Sequence, residues 1–463
     1  MLKETIYEYK KYFQEGVITE LRSQQNTRRV VALQAGQLVS NVRTASEGIS
    51  ARVRNRGLWG LASIAADGSD TAAAQRVLRA ATDNAKFMAD RQNYPYTELR
   101  PGIIGRHPLI GTVLDPIQDE YLRVARAIDA YIVEKYPDLV SRMVYAIADT
   151  VEKVITVSDG YDAHVVTPRS YVYIGLIAMS PDGSPVEVFR AFGGRGTIVE
   201  NFADPSALFP EVDRLYEAVR AKSEGIYPEA GRATCVISGE LGGMLAHEAV
   251  GHTVEADLVA SGSVAAGKIG QPVASELVSM VDFAHTAYGS PAPLPVYVDD
   301  EGVVAEDAVL IRDGILTGYM HNRESAAKMG MEARGNARAW DFSDEPLIRM
   351  RNTAILPGKD KLDDLIASVD NGYYLVTTGN GQADMTGEFM FGVTEGYEIK
   401  KGKLGRALRD TTISGVAFEM LKTVDMVADE LTWVSSGFCG KKQPMTVGLG
   451  GPALRCKLMI GGR

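Results

Sequence analysis

Residues 241–255 read LGGMLAHEAVGHTVE and bring two imidazoles and a carboxylate together on a short segment. In the better-known zinc-hydrolase signature the two histidines stand at i and i+4 on one helix face, and the Glu between them is the general base. Here His247 and His252 stand at i and i+5, and an unbroken α-helix would turn His252 roughly 140° away from His247. Both can reach one ion only if the winding changes, so the sequence predicts a π-type turn or a break near Gly251, where the conformational freedom of glycine would tolerate the change.

The motif is expected to lie on a helix that follows a short buried strand. Residues 233–237 are mostly apolar, Ser238 is a possible N-cap, and Glu240 occupies the first turn, where a negative charge is favourable. Gly242 and Gly243 lack a side chain, which allows another segment of backbone to approach this helix closely.

Composition narrows the class of protein. The chain has 463 residues and 45% hydrophobic content, which suits a globular protein of two or three domains. Its 49 basic and 59 acidic side chains give a formal charge of −10, and no basic cluster stands out, which argues against a nucleic-acid surface as the main function. No secretory h-region and no long apolar run are present, so we expect a cytoplasmic protein without a membrane span.

Patterning in the first half predicts an antiparallel meander packed with helices. Strand-like runs lie near 30–33, 38–39, 48–53 and 59–63, with turns at Ala35-Gly36 and residues 55–57. Helices are predicted at about 70–90, 115–150 with a break at Pro137, and 205–224. Residues 180–184, which include Asp182-Gly183, indicate a hairpin between two further strands. The segment 227–231 is the expected domain boundary.

The second half is dominated by strands. Asp313-Gly314 and Lys401-Gly402 are hairpin turns, and further strands are predicted at 295–299 and 452–460. Two helices are predicted near 324–329 and 411–424. We therefore predict an α+β protein of two domains. Residues 1–230 form an N-terminal domain of antiparallel sheet and helices, and residues 231–463 form a β-rich domain that carries the metal-motif helix.

A catalytic zinc site needs a third protein ligand, because such sites use three ligands and leave the fourth position open. The candidates left by the sequence are His285, His321, Glu255, Asp257 and Cys439. Cys439 has the most suggestive setting, between Gly437 and Gly440, where a thiolate is readily presented. The other two cysteines, Cys235 and Cys456, alternate with apolar neighbours in predicted strands and read as buried core residues.

Glu248 is the candidate general base. Adjacent helix positions point about 100° apart, so Glu248 is better placed to contact a metal-bound water than the ion that His247 binds. Stabilisation of the carbonyl oxygen in the transition state would need a further donor. Tyr319, His321 and a backbone amide within 379–382 are possible donors, and the sequence does not choose between them.

Several motifs together resemble the TldD/PmbA (TldD/TldE) family, specifically its metal-bearing TldD branch. They are distributed over nearly the whole chain, at 56–63 (RGLWGLAS), 245–257 (LAHEAVGHTVEAD), 318–323 (GYMHNR), 335–336 (GN), 392–397 (GVTEGY) and 437–440 (GFCG). The resemblance implies zinc as cofactor, His247, His252 and Cys439 as its ligands, and Glu248 as the base. It also implies a dimer with a second copy of the chain or with a TldE/PmbA-like subunit that has lost the metal motif.

The resemblance implies zinc-dependent hydrolysis of unfolded or flexible peptides, and the motif residues themselves predict Glu-assisted attack of a zinc-bound water. The resemblance adds peptide maturation, leader removal and degradation as roles. Two alternatives remain open at this point: a non-catalytic peptide-binding or scaffolding subunit, and a metal-dependent amidase that acts on a small molecule.

Overall fold

The computed structural model describes residues 2, 4–91, 96–111 and 116–462. Its first half is one large sheet, whose strands are β1 Ile18–Gln34, β2 Gln37–Asn55, β3 Leu58–Ile64, β4 Gly105–Ile110, β5 Ser141–Val157, β6 Tyr161–Met179 and β7 Pro185–Arg195. Their order is β3-β2-β1-β5-β6-β4, with β7 also paired to β6. All of these pairings are antiparallel except β4 with β6, so the predicted antiparallel sheet is confirmed with one parallel addition.

Four α-helices of the first half lie within the described ranges, namely α1 Thr71–Arg91, α2 Gln118–Lys135, α3 Ile198–Asn201 and α4 Phe209–Ser223. Short 3-10 helices cover Glu4–Tyr12 and Pro205–Leu208. Helices α2 and α4 share one apolar core with β1, β5 and β6, whereas α1 and the first 3-10 helix pack in a second core with β1 and β2.

A buried histidine attaches the first 3-10 helix to this sheet. His164 on β6 is 2% exposed, and its ring nitrogens lie 2.9 Å from Glu152 and 3.2 Å from Glu4. Burial lowers the pKa of His164, but its two carboxylate partners outweigh that effect and raise the pKa above the usual value. The two carboxylates therefore favour the protonated form of the ring in this attachment.

The second half has many short elements. Its strands are β8 Gly231–Ile237, β9 Met280–Phe283, β10 Thr286–Ala287, β11 Ser290–Pro291, β12 Ala308–Arg312, β13 Ile315–Leu316, β14 Ala337–Arg338, β15 Leu347–Ile348, β16 Asn352–Ile355, β17 Asn371–Ala383, β18 Glu388–Lys400, β19 Lys403–Ala407, β20 Thr411–Val416, β21 Met426–Val427, β22 Thr432–Cys439, β23 Met445–Gly451 and β24 Leu454–Ile460. Its α-helices are α5 Gly239–Met244, α6 Ala256–Ala260, α7 Arg323–Met329, α8 Leu362–Ala367 and α9 Ala417–Leu421.

Two larger sheets organise this half. One has the order β13-β12-β9-β16-β23-β22, which leaves β22 at an edge. The other runs β17-β8-β24-β20-β18, and a further pairing of β17 with β18 closes it into a barrel. Helix α5 follows β8 of the barrel and packs against both sheets. The predicted α+β fold, with a β-rich second domain that carries the motif helix, is therefore confirmed, whereas the division at residue 230 stays a prediction.

Left-handed backbone angles identify the tight hairpin turns. Ala35 and Gly36 have φ of 47° and 79°, Asp313 and Gly314 have 46° and 80°, and Lys401 and Gly402 have 53° and 72°. Successive positive φ values are the requirement of a type I′ turn, whose twist matches the flanking strands. The hairpins predicted at these positions are confirmed.

Three secondary-structure predictions were wrong. Residues 141–150 were predicted to be helical but begin β5, where Val144, Ala146 and Ala148 alternate inward as strand residues do. Residues 411–416 likewise form β20 in place of a helix. The strand predicted at 295–299 is only an isolated bridge between Val298 and Val304.

Candidate metal centre

The motif helix changes its winding where the histidine spacing requires it. Ser238 caps α5, because its hydroxyl accepts from the Leu241 amide at 3.2 Å. A π-helix then covers Leu245–Gly251, and the amide of His252 donates to the carbonyl of His247, five residues back. The predicted π-type turn is confirmed, and it brings the two imidazole rings to a centroid distance of 5.1 Å.

Glycines in this helix provide space. Gly251 has φ −54° and ψ −48°, ordinary right-handed helical values, so conformational freedom is not what the position requires. A Cβ there would lie 2.1 Å from the sulfur of buried Met350. A Cβ at Gly242 or Gly243 would lie 2.7–2.9 Å from the backbone that leads from β23 into β24, as close backbone approach predicts.

Cys439 meets the two histidines from the edge strand β22. One ligand atom from each of His247, His252 and Cys439 lies within 4.8 Å of the others, and the Cys439 sulfur is 3.2 Å from His252 Nε2. The other two cysteines, Cys235 and Cys456, face each other across β8 and β24 in the core. Of the three cysteines, therefore, Cys439 belongs to the motif.

The electrostatics of this cluster favour a thiolate. Burial raises the pKa of Cys439, but the His247 and His252 rings outweigh it and lower the pKa to about 3. By contrast, burial raises the pKa of Cys456 to about 12 and that of Cys235 well above its usual value. A thiolate is the form of cysteine that binds metals.

The donor set fits a zinc ion. His247 is 1% exposed, and within the described residues neither of its ring nitrogens has a hydrogen-bond partner. Burial of such groups is costly unless a partner compensates for the lost water. Imidazole nitrogen and thiolate sulfur are ligand types that Zn²⁺ takes, and three protein ligands leave the fourth position of a catalytic site open.

A second layer of contacts orients His252. Its Nδ1 lies 2.7 Å from Glu255, whose side chain is fully buried, so Nε2 faces the cluster. The Lys441 ammonium lies 3.2 Å from the same Glu255 oxygen and 2.8 Å from Asp257. A carboxylate on the distal nitrogen of a ligating histidine fixes the ring and its tautomer. Glu255 and Asp257 therefore support the site from outside the cluster.

Glu248 lies beside the cluster. Its carboxylate is 3.8 Å from His252 Nε2, and its side chain keeps 22% of its surface exposed. The carboxylate thus has access both to solvent and to the nitrogen that faces Cys439. This position suits a group that exchanges protons with a water molecule at the cluster.

Other residues considered from the sequence have different partners. His285 stacks on Tyr297 at 5.0 Å, and His321 contacts Ser325 and Met331 while burial lowers its pKa to about 4. The Tyr319 hydroxyl donates to the Ala265 carbonyl at 2.6 Å. Sequence reasoning missed Lys441 altogether, although it lies only two residues after Cys439.

A wide cleft is lined by residues of both halves of the chain, among them chain neighbours of the cluster but not His247, His252 or Cys439 themselves. Its space is about 1840 Å³ including the open mouth, and residues 432–438 of β22 form one wall. The wall also contains Met244, three residues before His247, and Phe438, which precedes Cys439. From the opposite side, Arg190 on β7 reaches Glu395 at 2.7 Å and Glu240 at 3.3 Å. The cleft can therefore hold an extended chain beside β22.

Comparison with known proteins gives a family. Residues 230–462 match the model of the PmbA/TldA metallopeptidase C-terminal domain. A metalloprotease TldD homolog of Buchnera aphidicola is 34% identical over 351 residues, which is 73% of this chain and 70% of that protein.

Two archaeal relatives match over shorter regions. A metalloprotease of Methanothermobacter thermautotrophicus is 40% identical over 63% of each chain. A zinc metalloprotease TldD homolog of Saccharolobus solfataricus is 34% identical over 54% of this chain and 56% of that protein. The chain thus spans less than two thirds of the length of these two relatives.

Solved structures show the same fold over almost the entire chain. TldE from Thermococcus kodakarensis superposes with a TM-score of 0.73 at 17% identity over 99% of both chains. A protein of Thermotoga maritima described as a putative modulator of DNA gyrase gives a TM-score of 0.76 at 18% identity, over 99% of this chain and 98% of that one. Among the described helices, none is long and apolar enough to cross a membrane.

Proposed function

Because the chain belongs to the TldD/PmbA metallopeptidase family, we propose that it is a zinc-dependent peptidase for unfolded or flexible peptides. The observation that carries this proposal is the cluster of His247, His252 and Cys439 with Glu248 beside it. A cleft lined by their chain neighbours Met244 and Phe438 supports it. Leader removal, other peptide maturation and peptide degradation are the roles that such an activity would serve.

The residues divide the chemistry between them. His247, His252 and Cys439 would hold the ion, and Glu255 would keep the His252 ring in place through Nδ1. Bound Zn²⁺ supplies Lewis acidity and lowers the pKa of water to about 7. Glu248 accepts a proton from the water that attacks the peptide carbonyl and then donates it to the leaving amine.

The cleft supports recognition of the peptide main chain. Among the described residues β22 pairs only with β23, so its other edge is available to an added strand. Main-chain hydrogen bonds along a strand edge read any extended segment and exclude folded ones. The N-terminal domain limits this edge, because the Tyr171 hydroxyl donates to the Ser435 carbonyl at 2.6 Å. We therefore place the substrate beside the part of β22 that follows Ser435.

The first experiment separates the peptidase from a scaffold. Protein purified without added zinc is assayed for bound metal and for cleavage of an unfolded polypeptide, before and after chelation. We expect Glu248→Gln to retain metal and to lose at least about 100-fold in kcat, the low end of a general-base contribution. The matched control is Glu419→Gln, an exposed residue on α9, which packs on the π-helix. No bound metal, or full activity of Glu248→Gln, would refute the peptidase.

The second experiment tests the substrate class. A panel of small amides is compared with one flexible peptide and with versions of that peptide carrying single backbone N-methyl groups. We expect N-methylation near the cleaved bond to raise KM, whereas side-chain exchanges have small effects. Preferential hydrolysis of a small amide would favour the amidase instead.

The assembly and its location are further parts of the proposal. We propose a dimer with a second copy of the chain or with a TldE-like subunit, supported by the motif resemblance, while the likeness to TldE itself shows the fold alone. Light scattering of the pure protein, alone and mixed with such a subunit, tests this. A monomer with full peptidase activity would refute it. A cytoplasmic location remains a prediction from the sequence.

A further inference from the structure

We propose that the N-terminal domain controls metal retention through the backbone of Trp340. This inference takes the three ligands of the proposed function as given and adds a coupling between the domains. Residues 340–345 belong to the C-terminal half but lie against β1 and β2, between the N-terminal sheet and the turn that follows Cys439. The hydrogen bonds on the two sides of this loop carry the proposal.

On the N-terminal side, two amides of β1 hold the loop. Gln24 Nε2 and Asn26 Nδ2 both donate to the Trp340 carbonyl, at 2.6 and 2.8 Å. Nearby, the Arg22 guanidinium donates to the carbonyls of three further loop residues, Asp341, Phe342 and Asp344. Because Gln24 and Arg22 are about 95% buried or more, these contacts are shielded from water.

On the other side, the backbone amide of the same residue holds the turn of the third ligand. The Trp340 amide donates to Gln443 Oε1 at 2.8 Å, and Gln443 Nε2 donates to the Glu345 carbonyl at 2.9 Å. The Trp340 ring also meets the ring of Phe438 edge to face, with centroids 5.9 Å apart. Trp340 thus contacts the strand just before Cys439 and the turn just after it.

One buried guanidinium links this turn to Cys439 itself. Arg349 is fully buried and donates to the carbonyls of Cys439, Lys441 and Gln443 at 2.8–3.0 Å. These bonds fix the position of the turn relative to the cysteine. A shift of Gln443 is passed on to the sulfur, and also to Glu255 through Lys441. Gln443 and Trp340 are positioning residues, since neither belongs to the metal cluster.

The test measures metal affinity, with Co²⁺ as a visible probe. The variant Gln24→Ala/Asn26→Ala removes both donors to the Trp340 carbonyl and leaves the backbone ladder of β1 intact. We expect Co²⁺ to bind about tenfold more weakly in chelator competition, with altered thiolate-to-cobalt absorption, as for loss of outer contacts of metal ligands. The single substitutions should give smaller losses in the same direction, because one donor remains.

Matched controls come from the opposite face of the same strand. Gln25→Ala/Thr27→Ala changes the neighbouring positions, of which Gln25 contacts Glu47 within the N-terminal sheet, and should leave affinity within about twofold, as for distant sites. Gln443→Ala should weaken binding about tenfold, and adding the N-terminal pair to it should cause little further loss. If the two changes acted independently, their fold losses of Co²⁺ affinity would multiply instead.

Three results would overturn this inference. They are wild-type affinity and absorption in Gln24→Ala/Asn26→Ala, an equal loss in the Gln25→Ala/Thr27→Ala control, and full multiplication of the effects in the combined variant. A role in stability alone would lower the unfolding temperature and leave the absorption of the folded protein unchanged. Failure of the wild-type protein to bind any metal would instead refute the proposed function.

Discussion

Replacement of Gly251 by alanine should damage the metal centre through one steric contact. The added Cβ would lie 2.1 Å from the Met350 sulfur, whereas an unstrained contact needs about 3.5–4.0 Å. Because Gly251 already has right-handed helical angles, the backbone itself tolerates alanine. Relief must therefore come from movement of Met350, which is 1% exposed, or of the turn that carries His252.

The expected magnitude follows from this overlap. Overpacking of a well-packed interior costs about 1–3 kcal/mol, which corresponds to roughly 5- to 150-fold in an equilibrium constant. If the strain is relieved by displacing His252 from His247, metal affinity should fall by about tenfold or more. Chelator competition with Zn²⁺ measures this loss, and circular dichroism shows whether the variant is folded.

Two further variants separate sterics from other causes. Met350→Ala removes the sulfur, so Gly251→Ala made in that background should cost less than about twofold in affinity. Gly440→Ala places a methyl group next to Cys439, where no atom beyond the two chain neighbours lies within 4 Å, and should leave affinity unchanged. Wild-type affinity in Gly251→Ala, or a loss that Met350→Ala does not relieve, would refute this explanation.

Three other predictions concern charge and thiol reactivity. Glu255→Gln should weaken metal binding about tenfold, because His252 loses the negative partner of its Nδ1. In metal-free protein Cys439 should react first with an alkylating reagent, because its pKa is lowered to about 3, and added Zn²⁺ should protect it. The stability advantage of wild-type protein over His164→Gln should be largest near pH 6 and should shrink as pH rises. The pKa of His164 is raised in the folded state. Protonation of the ring therefore stabilises the folded protein at pH values below the pKa of the unfolded state, and this stabilisation is lost as pH rises through the pKa of the folded state.

Each of these predictions has a contradicting outcome. For Glu255 the control is Asp257→Asn, which removes the other acidic partner of Lys441 without touching His252, and an equal loss in both would contradict the ring-orienting role. For Cys439 the contradicting outcome is faster labelling of Cys235 or Cys456 in the folded protein. For His164 the contradicting outcome is a difference in stability between wild-type protein and His164→Gln that stays constant or grows between pH 6 and pH 9, as measured by thermal unfolding.

More of the metal cluster itself could be predicted from the sequence than of the residues that surround the cluster. The i,i+5 spacing of His247 and His252 required a change of winding, and the π-helix supplies it. Cys439 could be favoured over four other candidates because it lies between glycines, but its meeting with the histidines is a tertiary contact that spacing does not encode. The reason for Gly251 was also misjudged, since its neighbour Met350 is remote in sequence.

In the fold, too, features set by local sequence could be predicted, whereas features set by long-range contacts could not. Hairpins with left-handed turn residues, such as Asp313-Gly314, could be predicted because the turn chemistry is local. Residues 141–150 were assigned to a helix because their apolar residues suit either period over a short window. Pairing with β1 and β6 makes this segment a strand. The closure of β17 onto β18 likewise depends on long-range contacts.

The distance along the chain between the ligands has a consequence for the cell. His252 and Cys439 are 187 positions apart in sequence, yet their side chains meet. A peptidase for unfolded polypeptides faces copies of itself that are still being synthesised, and these are substrates of the proposed class. Such copies carry both histidines before the cysteine has been added, so they cannot yet cut their neighbours. In the proposed peptidase, assembly of the site from remote segments would therefore delay cleavage until the C-terminal part of the chain has been synthesised.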